Sequence, residues 1–369
     1  MKPIRTITGK DHEHKHRHHK HSHKKEKKEE QKQNKEKFIG SLFGFGTTKP
    51  QPPKPQPPKP QPPKPQPPKP QPPKPQVPAQ PPKPQVPAQP SKPQVPAQPS
   101  IPISSGIKRA LLIGINYIKN PSNGLNGCIN DVKSIKDLLI STFGYKAENI
   151  ILMSDDQSGV MEPTKQNILD QINKAVALVK SGDTLFVHYS GHGTQVISKD
   201  NDEKNNPDTP GEDDCLCPCD FNKYSWEDGF ISDDILKENL VNKIPIGAKL
   251  RVFFDCCHSG SALDLEYLWK NNENFTQVSA PERQSDDILL ISGCKDNQTS
   301  ADSWNAQKRQ AMGALTMALI KSLANTPTIK TSWKDLVLLV RHSLATDKYT
   351  QFPMLSVSNP SVSNGFVDL

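Results

Sequence analysis

The chain has 369 residues and a formal net charge of +8, but the charge is unevenly distributed. Segments 1–37 and 49–102 carry +7 and +8, which leaves about −7 for the rest of the chain. An acidic folded part favours cationic partners, either substrates that contain lysine or arginine or a hard metal ion. The basic segments lack interleaved aromatic residues, so we expect no specific nucleic-acid binding. No stretch approaches 18 consecutive apolar residues, and we therefore expect no transmembrane segment.

The cysteine content favours a reducing compartment. The chain has seven cysteines, an odd number, and all of them follow residue 127. This usage is typical of a reduced cytosolic protein rather than of a disulfide framework. The charged N-terminus also lacks the apolar core of a secretory signal. We therefore expect a cytoplasmic protein.

The first third of the chain has two segments of biased composition. Residues 1–48 mix histidine, lysine and glutamate without apolar periodicity, which predicts a disordered tail. Residues 49–106 contain the repeat Gln-Pro-Pro-Lys-Pro and predict a polyproline II arm, because proline fixes φ and donates no hydrogen bond. The spacing Lys54-x-x-Pro57-x-x-Pro60 suits a partner of the SH3 or WW type, and a stiff spacer without a dedicated partner is the alternative.

Residues 107–369 alternate strand and helix patterns and are long enough for one large α/β domain. Apolar runs predict buried strands at 109–115, 149–153, 184–189, 249–254, 288–292 and 354–357. Helical spacing of apolar residues predicts helices at 128–143, 164–180, 312–323 and 332–344. These elements predict a three-layer sandwich, in which helices cover both faces of a mainly parallel sheet.

Two predicted strands end in reactive side chains. One leads into His192 and the other into Cys257, 65 residues later. Active sites of parallel sheets lie beyond the carboxyl ends of the strands, and a thiol needs a nearby base to become a nucleophile at neutral pH. Alternation along the strands places Ser190 with His192, and Asp255 with Cys257. Asp255 would raise the pKa of a neighbouring thiol, so we interpret it as a reader of cationic substrate side chains.

These motifs carry a family resemblance. The sequences His-Tyr-Ser-Gly-His-Gly at 188–193 and Asp-Cys-Cys-His-Ser-Gly at 255–260, in this order, resemble type I metacaspases, caspase-like proteases of clan CD and family C14. The resemblance extends to residues 111–117, 126–131 and 292–302, and the proline-rich segment resembles a type I prodomain. It implies a caspase-like fold and a cysteine endopeptidase with roles in cell death or stress responses.

The resemblance also implies roles for individual residues. His192 is the general base and Cys257 the nucleophile, with Cys256 as the alternative that alternation disfavours. The backbone N–H groups of Gly193 and Cys257 form the oxyanion hole. The pocket for a basic substrate residue maps to Cys128, Asp131, Ser190 and Asp255. Two carboxylates in this pocket imply cleavage after lysine or arginine.

Acidic residues predict a calcium site. Calcium needs several carboxylate oxygens at about 2.3–2.6 Å. The acids of calcium-dependent metacaspases match Asp213, Asp233, Asp234 and Asp264, although Asp233 alone could be a helix N-cap. Alternation along a further strand would place Cys215, Cys217 and Cys219 on one face, where a structural role is favoured over zinc binding.

Several alternatives remain open at this point. One is a catalytically quiet scaffold whose proline-rich arm docks partners, and another is a paracaspase or legumain-like protease. We also predict self-cleavage, at Lys270, Arg283, Lys308 or Arg309 or in the tail. A closed sheet edge would prevent caspase-type dimerisation, so we expect a monomer.

Overall fold

The computed structural model describes residues 106–369, apart from residues 157–158, 199–210, 227, 258, 260–261, 271–273, 280–284, 294–301, 306–309 and 326–329. The predicted tail 1–48 and all but the last residue of the proline-rich arm 49–106 therefore lie outside the described residues. Within the described part of the chain, no helix combines the length and apolarity needed to cross a bilayer.

An eight-stranded sheet forms the centre of the fold. Its strands, in spatial order, are β2 (Ile150–Ser154), β1 (Lys108–Gly114), β3 (Thr184–Ser190), β7 (Lys249–Asp255), β10 (Ile288–Ser292), β13 (Met354–Val357), β8 (Tyr267–Trp269) and β9 (Thr276–Gln277). The first five strands pair in parallel, and the last three add antiparallel. The sheet is therefore mainly parallel, as the sequence predicts.

Helices cover both faces of this sheet. They are α1 (Cys128–Ser141), α2 (Lys165–Ala177), α3 (Asp233–Asn239), α4 (Ala314–Asn325) and α5 (Trp333–Thr346). The apolar residues of α1, α4 and α5 pack on one face, and those of α2 and α3 pack on the other. Side-chain caps begin three of these helices: Thr164 for α2, Ser232 for α3 and Ser332 for α5. The three-layer caspase-like architecture is thus confirmed.

The strand register brings two chain segments together at the carboxyl edge of the sheet. Ser190, the last residue of β3, pairs with Gly114 of β1 on one side and with Asp255, the last residue of β7, on the other. The N–H of Gly191 continues this contact, 3.5 Å from the carbonyl oxygen of Asp255. His192 and Cys257 each follow the end of one of these strands, so parallel pairing delivers both to the same edge.

Two small sheets add to the predicted elements. One contains β4 (Gly193–Ile197), β5 (Glu212–Leu216) and β6 (Ile231–Ser232), all antiparallel. The other is the hairpin of β11 (Asp302–Asn305) and β12 (Gln310–Gly313). Their strands are short and polar, and they lack the apolar runs that mark the central strands. Only β5 overlaps a predicted strand, that of the three cysteines, and the end of β12 occupies the start of the predicted helix 312–323.

Two local predictions are wrong. Ser232, not Asp233, caps α3: the Ser232 hydroxyl accepts the N–H of Ile235, and Asp233 is the first helical residue. The cysteine-rich strand β5 ends at Leu216, so strand alternation does not extend to Cys219. Cys215 and Cys217 are buried in the apolar core, whereas Cys219 is half-buried.

Candidate active site

Two contacts hold the side chain of His192. Its Nε2 atom lies 2.9 Å from the carbonyl oxygen of Asn123, and its ring lies against that of Tyr117, with 4.6 Å between ring centroids. A carbonyl can only accept, so this geometry assigns the proton to Nε2 and leaves the lone pair on Nδ1. Burial lowers the pKa of the imidazole, and the hydrogen bond to Asn123 opposes part of that shift. A neutral ring with a basic Nδ1 is the form that a general base requires.

Two buried tyrosines fix the backbone of His192. The hydroxyl of Tyr117 accepts the His192 N–H at 2.9 Å and donates to the carbonyl oxygen of Cys217 at 2.7 Å. The hydroxyl of Tyr189 donates to the His192 carbonyl oxygen at 2.8 Å. Tyr117 has a φ of 56°, a region that is uncommon for a bulky side chain and that these hydrogen bonds help to maintain. The hydrogen bonds to the backbone of His192 therefore fix the position of the imidazole together with the contacts of the ring itself.

The chain segment that carries Cys257 packs tightly against Gly193. A Cβ atom at residue 193 would overlap the Cys257 carbonyl oxygen and lie 3.4 Å from the Cys256 sulfur. Only glycine allows this approach. Cys256 is fully buried in the apolar core, whereas Cys257 is half-buried. Access therefore favours Cys257 over Cys256 as the nucleophile.

Three of the four residues of the predicted substrate pocket, Asp131, Ser190 and Asp255, lie together, and Cys128 lies one helical turn before Asp131. Cys128, Asp131, Ser190 and Asp255 are all less than 5% exposed. The Ser190 hydroxyl donates to Asp131 Oδ2 at 2.7 Å. The N–H of Gly313, at the end of β12, lies 2.9 Å from both oxygens of Asp131. These contacts place two carboxylates at the carboxyl edge of the sheet, within the acidic part of the chain.

Helix α4 contacts the second pocket carboxylate. Asp255 Oδ2 accepts two hydrogen bonds from Thr316, one from the backbone N–H and one from the hydroxyl, each 2.8 Å long. Thr316 is the third residue of α4, where backbone N–H groups lack partners within the helix and the helix dipole favours negative charge. The fold thus offsets part of the cost of burying this carboxylate.

Three of the four predicted calcium ligands form a cluster. Each of Asp213, Asp233 and Asp234 offers a carboxylate oxygen, and these oxygens lie within 4.8 Å of one another. Burial raises the pKa of Asp233, and the nearby charges of Asp264, Asp214 and Asp213 raise it further. Asp264 is thus close enough to act on Asp233 without being part of the three-residue group. Clustered, partly buried carboxylates suit a hard cation such as calcium.

The acidic cluster is connected to the catalytic edge by strand β5. Asp213 lies in β5, and four residues later the Cys217 N–H donates to the His192 carbonyl oxygen at 3.1 Å. The partner strand β4 begins at Gly193, directly after His192. A change in the position of β5 would therefore act directly on the His192 backbone.

Of the four predicted self-cleavage residues, the structure describes one. Lys270 is half-buried and follows β8. Arg283, Lys308 and Arg309 lie outside the described residues. Within the described part of the chain, the cysteines 215, 217 and 219 do not form a group that could hold a metal.

Sequence reasoning did not identify several residues that shape the site. Asn123 acts through its backbone carbonyl, so its side-chain type gives no signal. Tyr117 and Tyr189 lie inside the motifs that carry the resemblance, but a tyrosine there is equally consistent with core packing. Gly313 and Thr316 contact the pocket only through the tertiary fold.

Comparison with known proteins gives concordant results. Residues 108–266 match the family model described as metacaspase, peptidase C14 domain. Metacaspase-1A of Aspergillus oryzae is 35% identical over 303 residues, which is 69% of both chains. Metacaspase-1 of Schizosaccharomyces pombe is 36% identical over 304 residues, 69% of this chain and 68% of that protein. Metacaspase-1A of Neurospora crassa is 34% identical over 304 residues, 69% of this chain and 64% of its own length, which is less than two thirds.

A solved structure supports the fold alone. The crystal structure of protein GSU0716 from Geobacter sulfurreducens superposes with a TM-score of 0.50 and 24% sequence identity. The match covers 71% of this chain and 98% of that protein.

Proposed function

The chain belongs to the metacaspase family of caspase-like cysteine endopeptidases, and from that premise we propose that it cleaves peptide bonds after lysine or arginine when calcium is bound. The observation that carries the specificity is the convergence of the Asp131 and Asp255 carboxylates on Gly313, where one added Cβ atom would contact both. Asp255 is two residues from Cys257 in the chain, so a side chain that enters this pocket brings its own peptide bond towards the sulfur. Two carboxylates attract a cationic side chain and repel an aspartate.

The catalytic steps follow from the tautomer of His192. Nδ1 takes the thiol proton of Cys257, and the thiolate attacks the carbonyl carbon of the scissile bond. Negative charge develops on the carbonyl oxygen, and the backbone N–H groups of Gly193 and Cys257 stabilise it, a contribution of about 3–4 kcal/mol for one such donor elsewhere. Nδ1 then gives its proton to the leaving amine, which leaves a thioester on Cys257. Water hydrolyses the thioester with His192 again as the base.

Calcium dependence is supported by the acidic cluster and by its connection to His192. Burial raises the pKa of Asp233 first, and repulsion by the nearby charges of Asp264, Asp214 and Asp213 raises it further. A bound calcium ion supplies positive charge that removes this repulsion. The three clustered carboxylates would hold it, and β5 together with Cys217, the residue that follows it, would then be fixed beside His192.

Self-processing is part of this proposal. Lys270 is a candidate because it follows a short strand near the edge of the sheet. The basic residues 283, 308 and 309 are candidates from sequence alone. N-terminal sequencing of fragments from calcium-treated protein identifies the bonds that are cut, and an uncut chain with full activity would exclude a processing requirement.

The second candidate function is the quiet scaffold with a docking arm. The close contact of Gly193 with Cys257 and the fixed tautomer of His192 favour the enzyme, since a scaffold requires neither. A cytoplasmic location and SH3- or WW-type partners remain predictions from the sequence.

The experiment compares fluorogenic peptides that differ only in the residue before the scissile bond: arginine, lysine or aspartate. Wild type should cleave the two basic peptides in calcium and not in excess chelator, and should leave the aspartate peptide intact. Cys257→Ala should cleave none of them, while Cys256→Ala should retain activity. Equal cleavage by wild type and Cys257→Ala would contradict the proposal.

A further inference from the structure

A buried carboxylate anchors the loop that connects β1 to α1. Asp155 follows the last residue of β2, at the carboxyl edge of the central sheet, and is only 3% exposed. Its Oδ1 atom accepts the N–H of Asn116 and its Oδ2 atom accepts the N–H of Ile118, each at 2.9 Å. The carboxylate therefore holds the chain on both sides of Tyr117, and its burial shields both hydrogen bonds from competing water.

Tyr117, the residue between these two N–H groups, has a strained backbone. Its φ of 56° lies in the left-handed region, which is unfavourable for a bulky side chain. Such a conformation persists only where the surrounding structure maintains it. Because the hydrogen bonds of Asp155 lie directly before and after the strained residue, the carboxylate is well placed to maintain this conformation.

Two series of contacts lead from this loop to His192. The first is the Tyr117 side chain, whose hydroxyl accepts the His192 N–H at 2.9 Å and whose ring lies 4.6 Å from the imidazole. The second follows the backbone: the Tyr117 carbonyl accepts the N–H of Asn120 at 2.8 Å, and the Asn120 carbonyl accepts that of Asn123 at 2.9 Å. The Asn123 carbonyl oxygen then lies 2.9 Å from Nε2 of the imidazole. Both contacts of the imidazole therefore depend on the conformation of the loop.

A buried aspartate can also hold backbone N–H groups for stability alone, and Asp183 is an example. It is 6% exposed and accepts the N–H of Ile107 at 2.7 Å and that of Lys180 at 3.1 Å. Asp183 lies directly before β3, at the amino edge of the sheet, whereas His192 lies beyond the carboxyl edge. The two aspartates therefore make similar contacts at opposite edges, and only Asp155 is connected to the catalytic histidine.

We propose that Asp155 is a positioning residue for His192, which it orients through the loop and not by direct contact. In enzymes with a Ser-His-Asp triad, a carboxylate orients the imidazole through a hydrogen bond of its own. Here the Asn123 carbonyl makes that hydrogen bond, and the Asp155 carboxylate holds the loop that carries Asn123. The inference goes beyond the proposed calcium dependence and substrate preference, and it rests on the part of the proposed function that makes His192 the base.

Removal of the Asp155 carboxylate should affect catalysis more than substrate binding. The pocket acids Asp131 and Asp255 are held by Ser190, Gly313 and Thr316, which do not belong to this loop. We therefore expect a fall in kcat with a smaller change in KM. A residue with only a structural role would lower the melting temperature without this selective effect on kcat.

The test measures kcat and KM in saturating calcium for whichever of the arginine, lysine and aspartate peptides wild type cleaves fastest. Asp155→Asn keeps the shape of the side chain but replaces one acceptor oxygen by an NH₂ donor, so one backbone N–H loses its partner. We expect kcat to fall about 10-fold and KM to stay within about threefold of wild type. Asp183→Asn is the matched control: it should lower the melting temperature at least as much, because it also weakens an ion pair with Arg109, and keep kcat within about twofold.

A double-mutant cycle with Tyr117→Phe tests whether Asp155 acts through the loop. Two residues that act on His192 through the same contacts should have effects that do not multiply. We expect Asp155→Asn combined with Tyr117→Phe to lower kcat about 10- to 30-fold, compared with about 100-fold for independent effects. If Asp155→Asn does not fold, Asp155→Glu keeps both acceptor oxygens and displaces them by one methylene, and it should show the same selective fall in kcat.

The outcomes separate the inference from the function on which it rests. Active wild type together with an unchanged kcat in Asp155→Asn overturns the inference and leaves the proposed function intact. Equal falls in kcat in Asp155→Asn and Asp183→Asn, or fully multiplicative effects in the double variant, overturn it as well. Wild type that cleaves none of the peptides overturns both.

Discussion

The backbone N–H of His192 donates a 2.9 Å hydrogen bond to the buried hydroxyl of Tyr117, and the two rings lie 4.6 Å apart. Tyr117→Phe keeps the ring contact but leaves that N–H without its acceptor, whereas the Cys217 carbonyl oxygen still accepts from the Tyr189 hydroxyl at 3.0 Å. An unsatisfied buried group costs about 1–3 kcal/mol, so we expect kcat to fall about 10-fold with a smaller change in KM.

Tyr145→Phe is the matched control for this prediction. Tyr145 is buried on the opposite face of the sheet, and its hydroxyl oxygen has no hydrogen-bond partner among the described residues. Its removal should leave kcat unchanged and the protein equally or more stable. A comparable loss of kcat in both variants would show that tyrosine hydroxyls affect the core in general and not His192 in particular.

His188 predicts a pH dependence of stability. It is fully buried two residues before Ser190, its Nδ1 lies 3.0 Å from the Phe253 carbonyl oxygen, and burial lowers its pKa from 6.5 to about 4. As the pH falls from 6.5 to 4, the unfolded state takes up this proton before the folded state does. The free energy of unfolding should therefore fall over that window, by up to about 3 kcal/mol from this residue.

Urea unfolding of wild type and His188→Asn at pH 7, 6, 5 and 4 measures this effect. Asparagine can keep the donor to Phe253 but does not titrate, so the stability advantage of wild type over the variant should shrink as the pH falls. A constant difference across the series would contradict the assignment. His342→Asn, on the exposed face of α5, is the matched control.

The acidic cluster predicts opposite effects on calcium binding and on ion-free stability. Asp233→Asn removes one negative charge from a buried group whose members repel one another. We expect the calcium concentration for half-maximal activity to rise about 10-fold or more, because ligand charge sets calcium affinity. The melting temperature in chelator should stay the same or rise.

A calcium titration of peptide cleavage measures the calcium requirement, and thermal unfolding in chelator measures the ion-free stability. Asp137→Asn, on the exposed side of α1, is the control and should change neither. An unchanged calcium requirement in Asp233→Asn would exclude this cluster as the activating site.

Gly193 should tolerate no side chain. A methyl group there would overlap the Cys257 carbonyl oxygen and push apart Gly193 and Cys257, whose N–H groups are the two predicted oxyanion donors. Loss of such a donor costs about 10²- to 10³-fold in kcat, and we expect Gly193→Ala to fall in that range. Retention of more than about a tenth of wild-type kcat would argue against this position as part of the oxyanion hole.

The sequence predicted the central sheet well because its buried strands are continuous apolar runs. The predicted strands at 288–292 and 354–357 coincide with β10 and β13, although the antiparallel direction of β13 has no local signal. The strands β4 and β6 were not predicted, and β5 was predicted only in part, as the strand of the three cysteines, since polar and acidic residues such as Asp213 and Asp214 obscure the periodicity. Helix bounds differed by up to three residues, which is normal where caps and final turns compete.

The sequence predicts those residues of the candidate site that act through their side chains. His192, Cys257 and Asp255 follow from residue type and position at or just after strand ends, whereas Asp131 lies in helix α1 and is predicted only by the family resemblance. Asn123 and Gly313 were not predictable, because they act through a carbonyl and an N–H that every residue has. The alternation argument for His192 and Cys257 also does not apply, since β3 ends at Ser190 and β7 at Asp255.

The most direct test is covalent labelling with two peptidyl acyloxymethyl ketones, one that presents arginine to the pocket and one that presents aspartate. Intact mass and peptide mapping of wild type in calcium should find one adduct of the arginine reagent, on Cys257, and almost none of the aspartate reagent. An adduct on Cys256, or equal labelling by both reagents, would contradict a thiol at residue 257 that is served by a pocket of two carboxylates.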